Sequence, residues 1–80
     1  MAVQVQAYIL IQTEVGKAAQ VAQEVHGIAG VTAADDVTGP YDVIVEVETA
    51  SLRELGADIL SRLDTVPGIA RTITCPIISH

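Results

Sequence analysis

The hydropathy pattern of this chain switches between a two-residue and a three-to-four-residue period, and the order of those switches admits few folds. Val3, Val5, Ala7, Ile9 and Ile11 alternate with Gln4, Gln6, Tyr8, Leu10 and Gln12, the period of a strand whose side chains point to opposite faces. The second face of that strand is only partly polar. Over Val15 to His26 the apolar residues Val15, Ala18, Ala19, Ala22 and Val25 recur at helical spacing, with Lys17, Gln20, Gln23 and Glu24 on the other side. This predicts an amphipathic helix that ends near Gly27.

Gly30-Val31 opens a second strand to Thr38, Gly39-Pro40 turns the chain, and Asp42 to Glu48 forms a third strand with Val43, Val45 and Val47 on one face. So short a connection predicts an antiparallel hairpin. Ser51-Leu52-Arg53-Glu54 has the spacing of a capping box, in which hydroxyl and carboxylate satisfy orphan amides at a helix start. Leu52, Leu55, Ile59, Leu60, Leu63 and Val66 supply the stripe of that helix, and Pro67-Gly68 stops it. A last strand runs from about Ala70 to Ile78.

The two halves echo each other faintly, Ile28-Ala29-Gly30-Val31 following the first helix as Val66-Pro67-Gly68-Ile69 follows the second. Two βαβ halves in this order predict an α+β fold, the ferredoxin-like βαββαβ sandwich. Right-handed crossovers place both helices on one face of its four-stranded antiparallel sheet.

The other sheet face should read polar if water covers it. Instead Tyr8, Leu10 and Ile44 fall there by parity, and either register of the last strand adds Ile73 or Ile78. A chain of 80 residues buries only about 60% of its unfolded surface, and its lone Cys75 cannot form an internal disulfide. Association is the remaining stabiliser. Two copies packing sheet face to sheet face, as a dimeric α+β barrel, would cover the patch.

One domain over residues 1–80 is expected. A net charge of −6, with Lys17, Arg53, Arg62 and Arg71 as the only strong cations, supplies no basic stripe for a phosphate backbone and argues against direct nucleic-acid binding. The longest apolar-leaning run, Val3 to Ile11, is too short to span a bilayer, so no membrane association is expected and the location is read as cytoplasmic. No metal site or cofactor is expected: Asp35 and Asp36 are neighbours in a strand and point apart, while His26 sits at a helix end and His80 at the chain end. Cys75 is expected to be an inert buried thiol.

The segments Val37-Thr38-Gly39-Pro40-Tyr41-Asp42 and Val66-Pro67-Gly68-Ile69-Ala70-Arg71-Thr72-Ile73-Thr74, in this order around a βαββαβ pattern, closely resemble the effector-binding domain of the Lrp/AsnC family of transcription regulators. The resemblance covers essentially the whole chain. It implies dimers that assemble into higher oligomers such as octameric rings, with amino-acid effectors bound between dimers. In that family the domain follows a helix-turn-helix module. Because this chain starts at the first strand, it looks like a stand-alone version, and the partners this implies include full-length Lrp/AsnC regulators with which it would co-assemble.

The same residues carry suitable chemistry. Gly39 can adopt positive φ and Pro40 fixes its own, so the turn presents its amides in a defined direction that suits a carboxylate. Asp42 can accept from an ammonium, and Thr72 and Thr74 share one strand face. By resemblance Asp42, Thr72 and Thr74 match effector contacts, Gly39 and Tyr41 belong to the pocket loop, and Cys75 to Ile77 match positions that affect effector response. Pro76 departs from the family pattern; unable to donate to a ladder, it predicts an edge strand or a bend. Each residue also has a plainer reading: Asp42 can cap its own turn, and threonines favour strands in any case.

Two alternatives share the fold: a small dimeric barrel enzyme of the monooxygenase or isomerase type, and an ACT-type amino-acid-binding module. The first usually requires a His, aromatic or carboxylate cavity lining, whereas the core-facing residues here are almost all aliphatic, so the chain is read as no enzyme. The second often carries a glycine-rich loop after the first strand, where this chain has Thr13-Glu14-Val15-Gly16.

Overall fold

A computed structural model of the chain describes residues 5–78. Val3, Gln4 and His80 lie outside the described residues. The elements follow in the expected order: β1 Val5–Thr13, α1 Ala18–His26, β2 Val31–Asp36, β3 Val43–Thr49, a second helix α2 over residues 52–63, and β4 Ile69–Pro76. The sheet order is β2-β3-β1-β4, and every pairing is antiparallel. This is the ferredoxin-like arrangement.

Strict alternation in the central strands decides the core. Ala7, Ile9 and Ile11 of β1 and Val43, Val45 and Val47 of β3 are buried against Val21, Ala22 and Val25 of α1 and Leu55, Ile59 and Leu63 of α2. Both helices therefore cover one sheet face.

The helical stripes differ from expectation at their ends. Val15 is fully exposed, because the chain turns through Gly16 at φ +80° and α1 starts only at Ala18. Ala19 is exposed and Val21 is buried, so the working stripe is Ala18, Val21, Ala22 and Val25. Leu52 occupies the first helical position and is 63% exposed.

The serine half of the capping box forms, with Ser51 Oγ accepting from the Glu54 amide at 3.2 Å, while Glu54 Oε1 reaches past the N-cap amide and accepts from the Ala50 amide at 3.3 Å. Beyond this first α-turn, α2 widens into a π-helical stretch over Leu55–Leu60 and closes with another α-turn at Ser61–Leu63. Four residues overshoot one turn of α-helix and fall short of one turn of π-helix. Mixing the two keeps Leu55, Ile59 and Leu63 in line over the sheet.

The faint repeat has a structural counterpart. Gly30 and Gly68 adopt φ of +95° and +94°, a region in which any Cβ is strained. Their carbonyls accept, each at 2.8 Å, from the amides of Glu48 and Glu14 respectively.

β2 and β4 are the sheet edges. Asp35 and Asp36 lie exposed on the β2 edge, opposite Ile44 and Val43, and so face opposite sides of the sheet. On the helix-free face Leu10 lies between Ile44 and Ile73, and Tyr8 between Glu46 and Cys75. The register thus selects Ile73 for the apolar patch. Cys75 is exposed rather than buried, because its parity with Tyr8 puts it on the face that no helix covers.

Candidate functional site

The predicted site residues collect at the end of the sheet where β1 finishes. The hairpin between β2 and β3 is closed by the Val37 amide donating to the Asp42 carbonyl at 2.9 Å. Gly39 has φ +148°, an exposed position with nothing within 4 Å of where a Cβ would stand. Pro40 accepts from Gln12 Nε2 at 3.3 Å. Tyr41 and Asp42 are half-buried.

Asp42 is already engaged. Its amide donates to the Ile11 carbonyl at 2.8 Å, and its Oδ2 accepts from the Thr13 amide at 2.8 Å and from Thr13 Oγ1 at 3.3 Å. It does act as a cap, but across the sheet to the end of β1. The sequence offers no local sign of this, since Thr13 lies 29 positions away.

Thr72 and Thr74 stand opposite Ile11 and Ile9. They share the helix side of β4 at its edge, where Thr72 is exposed and Thr74 half-buried. Val43, Ile11 and Thr72 form one row across three strands, so the hairpin end and Thr72 stand about 10 Å apart, two strand spacings. Thr74 is two residues further along, about 7 Å from Thr72. In a single chain Thr72 and Asp42 flank the end of β1, and Thr74 is set back from both.

Thr72 also lines a cleft of about 280 Å³ between the end of α2 and the start of β4, with Leu63, Asp64, Val66, Ile69, Ala70 and Arg71. Asp64 carried no signal in the sequence, Leu63 and Val66 read there as helix stripe, and Ile69 and Arg71 fall in the family-like segment with no role in a cleft. A second cleft, of about 140 Å³, opens near the other end of β1 and includes Gln6, Tyr8, Thr32, Glu46 and Glu48. There Gln6 Nε2 donates to Glu48 Oε2 at 3.3 Å. Among the described residues no group of three or more His, Cys, Asp or Glu side chains is placed to hold a metal ion, and no helix is long and apolar enough to cross a membrane.

Comparisons with known proteins give the family and the fold. Residues 6–80 match the family model described as the Lrp/AsnC ligand binding domain. An HTH-type transcriptional regulator FL11 of Pyrococcus abyssi is 32% identical over 68 residues, which is 85% of this chain and 44% of that protein. The chain thus spans less than half the length of this curated relative. The crystal structure of hypothetical protein PHS023 from Pyrococcus horikoshii superposes with a TM-score of 0.86 at 35% identity, covering 96% of this chain and 93% of that one. A transcriptional regulator of Neisseria meningitidis, crystallised as an L-Met complex, has a TM-score of 0.80 at 16% identity, with 96% of this chain and 51% of that chain covered, and so shares the fold.

Proposed function

The chain belongs to the Lrp/AsnC ligand-binding domain family, and we propose that within it the chain is an oligomeric, non-enzymatic sensor of an amino acid or a related small molecule. The observation that carries the reading is the Gly39–Asp42 turn, rigidly anchored at the end of β1, with Thr72 across that same strand end. The turn offers backbone amides and a carboxylate oxygen, Asp42 Oδ1, that accepts from none of the described residues, while Thr72 and Thr74 offer hydroxyls. These are groups that match an α-carboxylate and an α-ammonium. The Neisseria relative, named as a complex with L-Met, supports a small amino acid as the ligand class.

The residues stand at the rim of a single chain, so a neighbouring copy completes the pocket. The dimer behind that assembly packs the helix-free faces together and buries Tyr8, Leu10, Ile44 and Ile73. Tyr8 and Ile44 are 41% and 37% exposed in the single chain and Leu10 and Ile73 are half-buried, so each contributes less than half of the roughly 1.5 to 3 kcal/mol of full burial, before the free-energy loss of association is subtracted. Co-assembly with DNA-binding members of the family would transmit ligand occupancy to transcription.

A thermal-shift panel of the twenty amino acids, run on protein of known sedimentation behaviour, tests the reading. A ligand present at 100 times its Kd should stabilise the fold by about 2.7 kcal/mol. No response to any amino acid, or a monomer at micromolar concentration, would sink it.

A further inference from the structure

We infer that Tyr8 and Glu46 form a reciprocal recognition pair between two copies of this chain, each Tyr8 hydroxyl donating to the partner's Glu46 carboxylate, and that this pair fixes how the two sheets are oriented. The pair presupposes the dimer proposed above and names the residues that choose its orientation.

The helix-free face has a defined centre. Tyr8 stands opposite Glu46, and two residues along the same strands Leu10 stands opposite Ile44. β1 and β3 are the inner strands of the sheet. These two rows are flanked by Gln6 opposite Glu48 on one side and by Gln12 opposite Arg71 on the other. The four inner positions therefore lie about 4 Å from the middle of the face, half a strand spacing one way and one residue the other. Tyr8 and Ile44 are exposed there and Leu10 is half-buried. The fourth position holds an exposed carboxylate.

That carboxylate restricts the pairing. A second copy that covers Tyr8, Leu10 and Ile44 also covers Glu46, and a charge taken out of water requires a donor. Arg71, the cation on this face, lies opposite Gln12 on the edge strand β4, about 17 Å from Glu46 by strand and residue spacing. It stands at a corner of the face.

Face-to-face contact between identical sheets requires a two-fold axis in the plane between them. An axis across the strands sets Glu46 over the partner's Ile44. One diagonal axis sets it over the partner's Leu10, and the other sets it over the partner's Glu46. An axis along the strands sets it over the partner's Tyr8, with Ile44 over the partner's Leu10. Only this last choice gives the carboxylate a donor, and it keeps the strands of the two sheets aligned, one of the two ways in which sheets pack. The sheets then stand about 10 Å apart, a gap that an extended tyrosine and a glutamate span together. The flanking row agrees, since Gln6, which donates to Glu48 of its own chain at 3.3 Å, comes to lie over the partner's Glu48. Both Gly39–Asp42 turns are thereby carried to the same end of the dimer.

Sedimentation of the full chain and its variants over a range of concentrations tests the pair. Tyr8→Phe should weaken the dimer about a hundredfold, about tenfold for each of two equivalent charge-assisted bonds. Adding Glu46→Leu to Tyr8→Phe should recover the dimer to within about tenfold of the parent, because no carboxylate is then buried without a donor. Both positions are exposed in the single chain, so neither change disturbs its core. Nitroxide labels at Thr38→Cys, in a Cys75→Ser background, should lie about 15 Å apart, whereas an axis across the strands separates them by about 30 Å. An unweakened Tyr8→Phe dimer, a loss that Glu46→Leu does not recover, or the longer label distance would overturn this inference and leave the dimer standing. A parent chain that stays monomeric would overturn both.

Discussion

Removing the Asp42 carboxylate should destabilise the fold before any ligand is considered. In Asp42→Ala the Thr13 amide loses an acceptor at 2.8 Å and the Thr13 hydroxyl loses one at 3.3 Å, while the backbone bond from the Asp42 amide to Ile11 survives. A hydrogen bond to a charged group contributes about 1.5 to 3 kcal/mol, and the longer bond adds little. A loss of about 2 kcal/mol is therefore expected, or roughly 8 to 16 °C in Tm for a domain of this size. Asp42→Asn keeps an amide oxygen as acceptor and should lose about half as much. Thr13→Val removes only the longer bond and should lose less than about 1 kcal/mol. Urea denaturation followed by circular dichroism, at one fixed chain concentration and without ligand, reads all three. An Asp42→Ala chain as stable as its parent would refute the reasoning. If the loss appears, a binding defect in Asp42→Ala mixes ligand contact with loosening of β1, and Asp42→Asn becomes the cleaner probe of recognition.

Two further perturbations separate conformational strain from steric contact and probe the cap. Gly16→Ala and Gly30→Ala both force alanine into positive φ, but only at Gly30 would the new Cβ meet Ile59 Cδ1 at 2.9 Å and the Glu48 carbonyl at 3.3 Å; Gly16→Ala should lose about 1 kcal/mol and Gly30→Ala about 1 to 3 kcal/mol more, and equal urea midpoints would contradict this. Ser51→Ala removes the hydroxyl that caps α2 and should lose about 1 kcal/mol by the same assay, with no change expected in ligand response.

Strand order and core were legible because Ile9, Ile11, Val43, Val45 and Val47 sit on central strands, where alternation translates directly into burial. Periodicity names a side and not an extent, and for that reason it enlisted Val15 and Leu52 although the layers stop short of them. The π-helical stretch left no trace, since an i→i+5 ladder uses the same side chains as an i→i+4 one. Positive φ at Gly39 was foreseeable from residue type. The capture of Asp42 by Thr13 was not, because it depends on where β1 ends relative to β3, a long-range fact. The cleft at Asp64 and Arg71 was hidden for a similar reason: it exists only where a helix C-terminus and an edge strand come together.

The strand order β2-β3-β1-β4 has a consequence for how divisible the molecule is. Its first half contributes β1 and β2 and its second half β3 and β4, and each of the three ladders joins a strand of one half to a strand of the other. Among the described residues neither half contains a sheet ladder of its own. Cut in the loop near Gly39, the chain would yield not two subdomains but a pair of complementing fragments, each without a sheet until the other arrives.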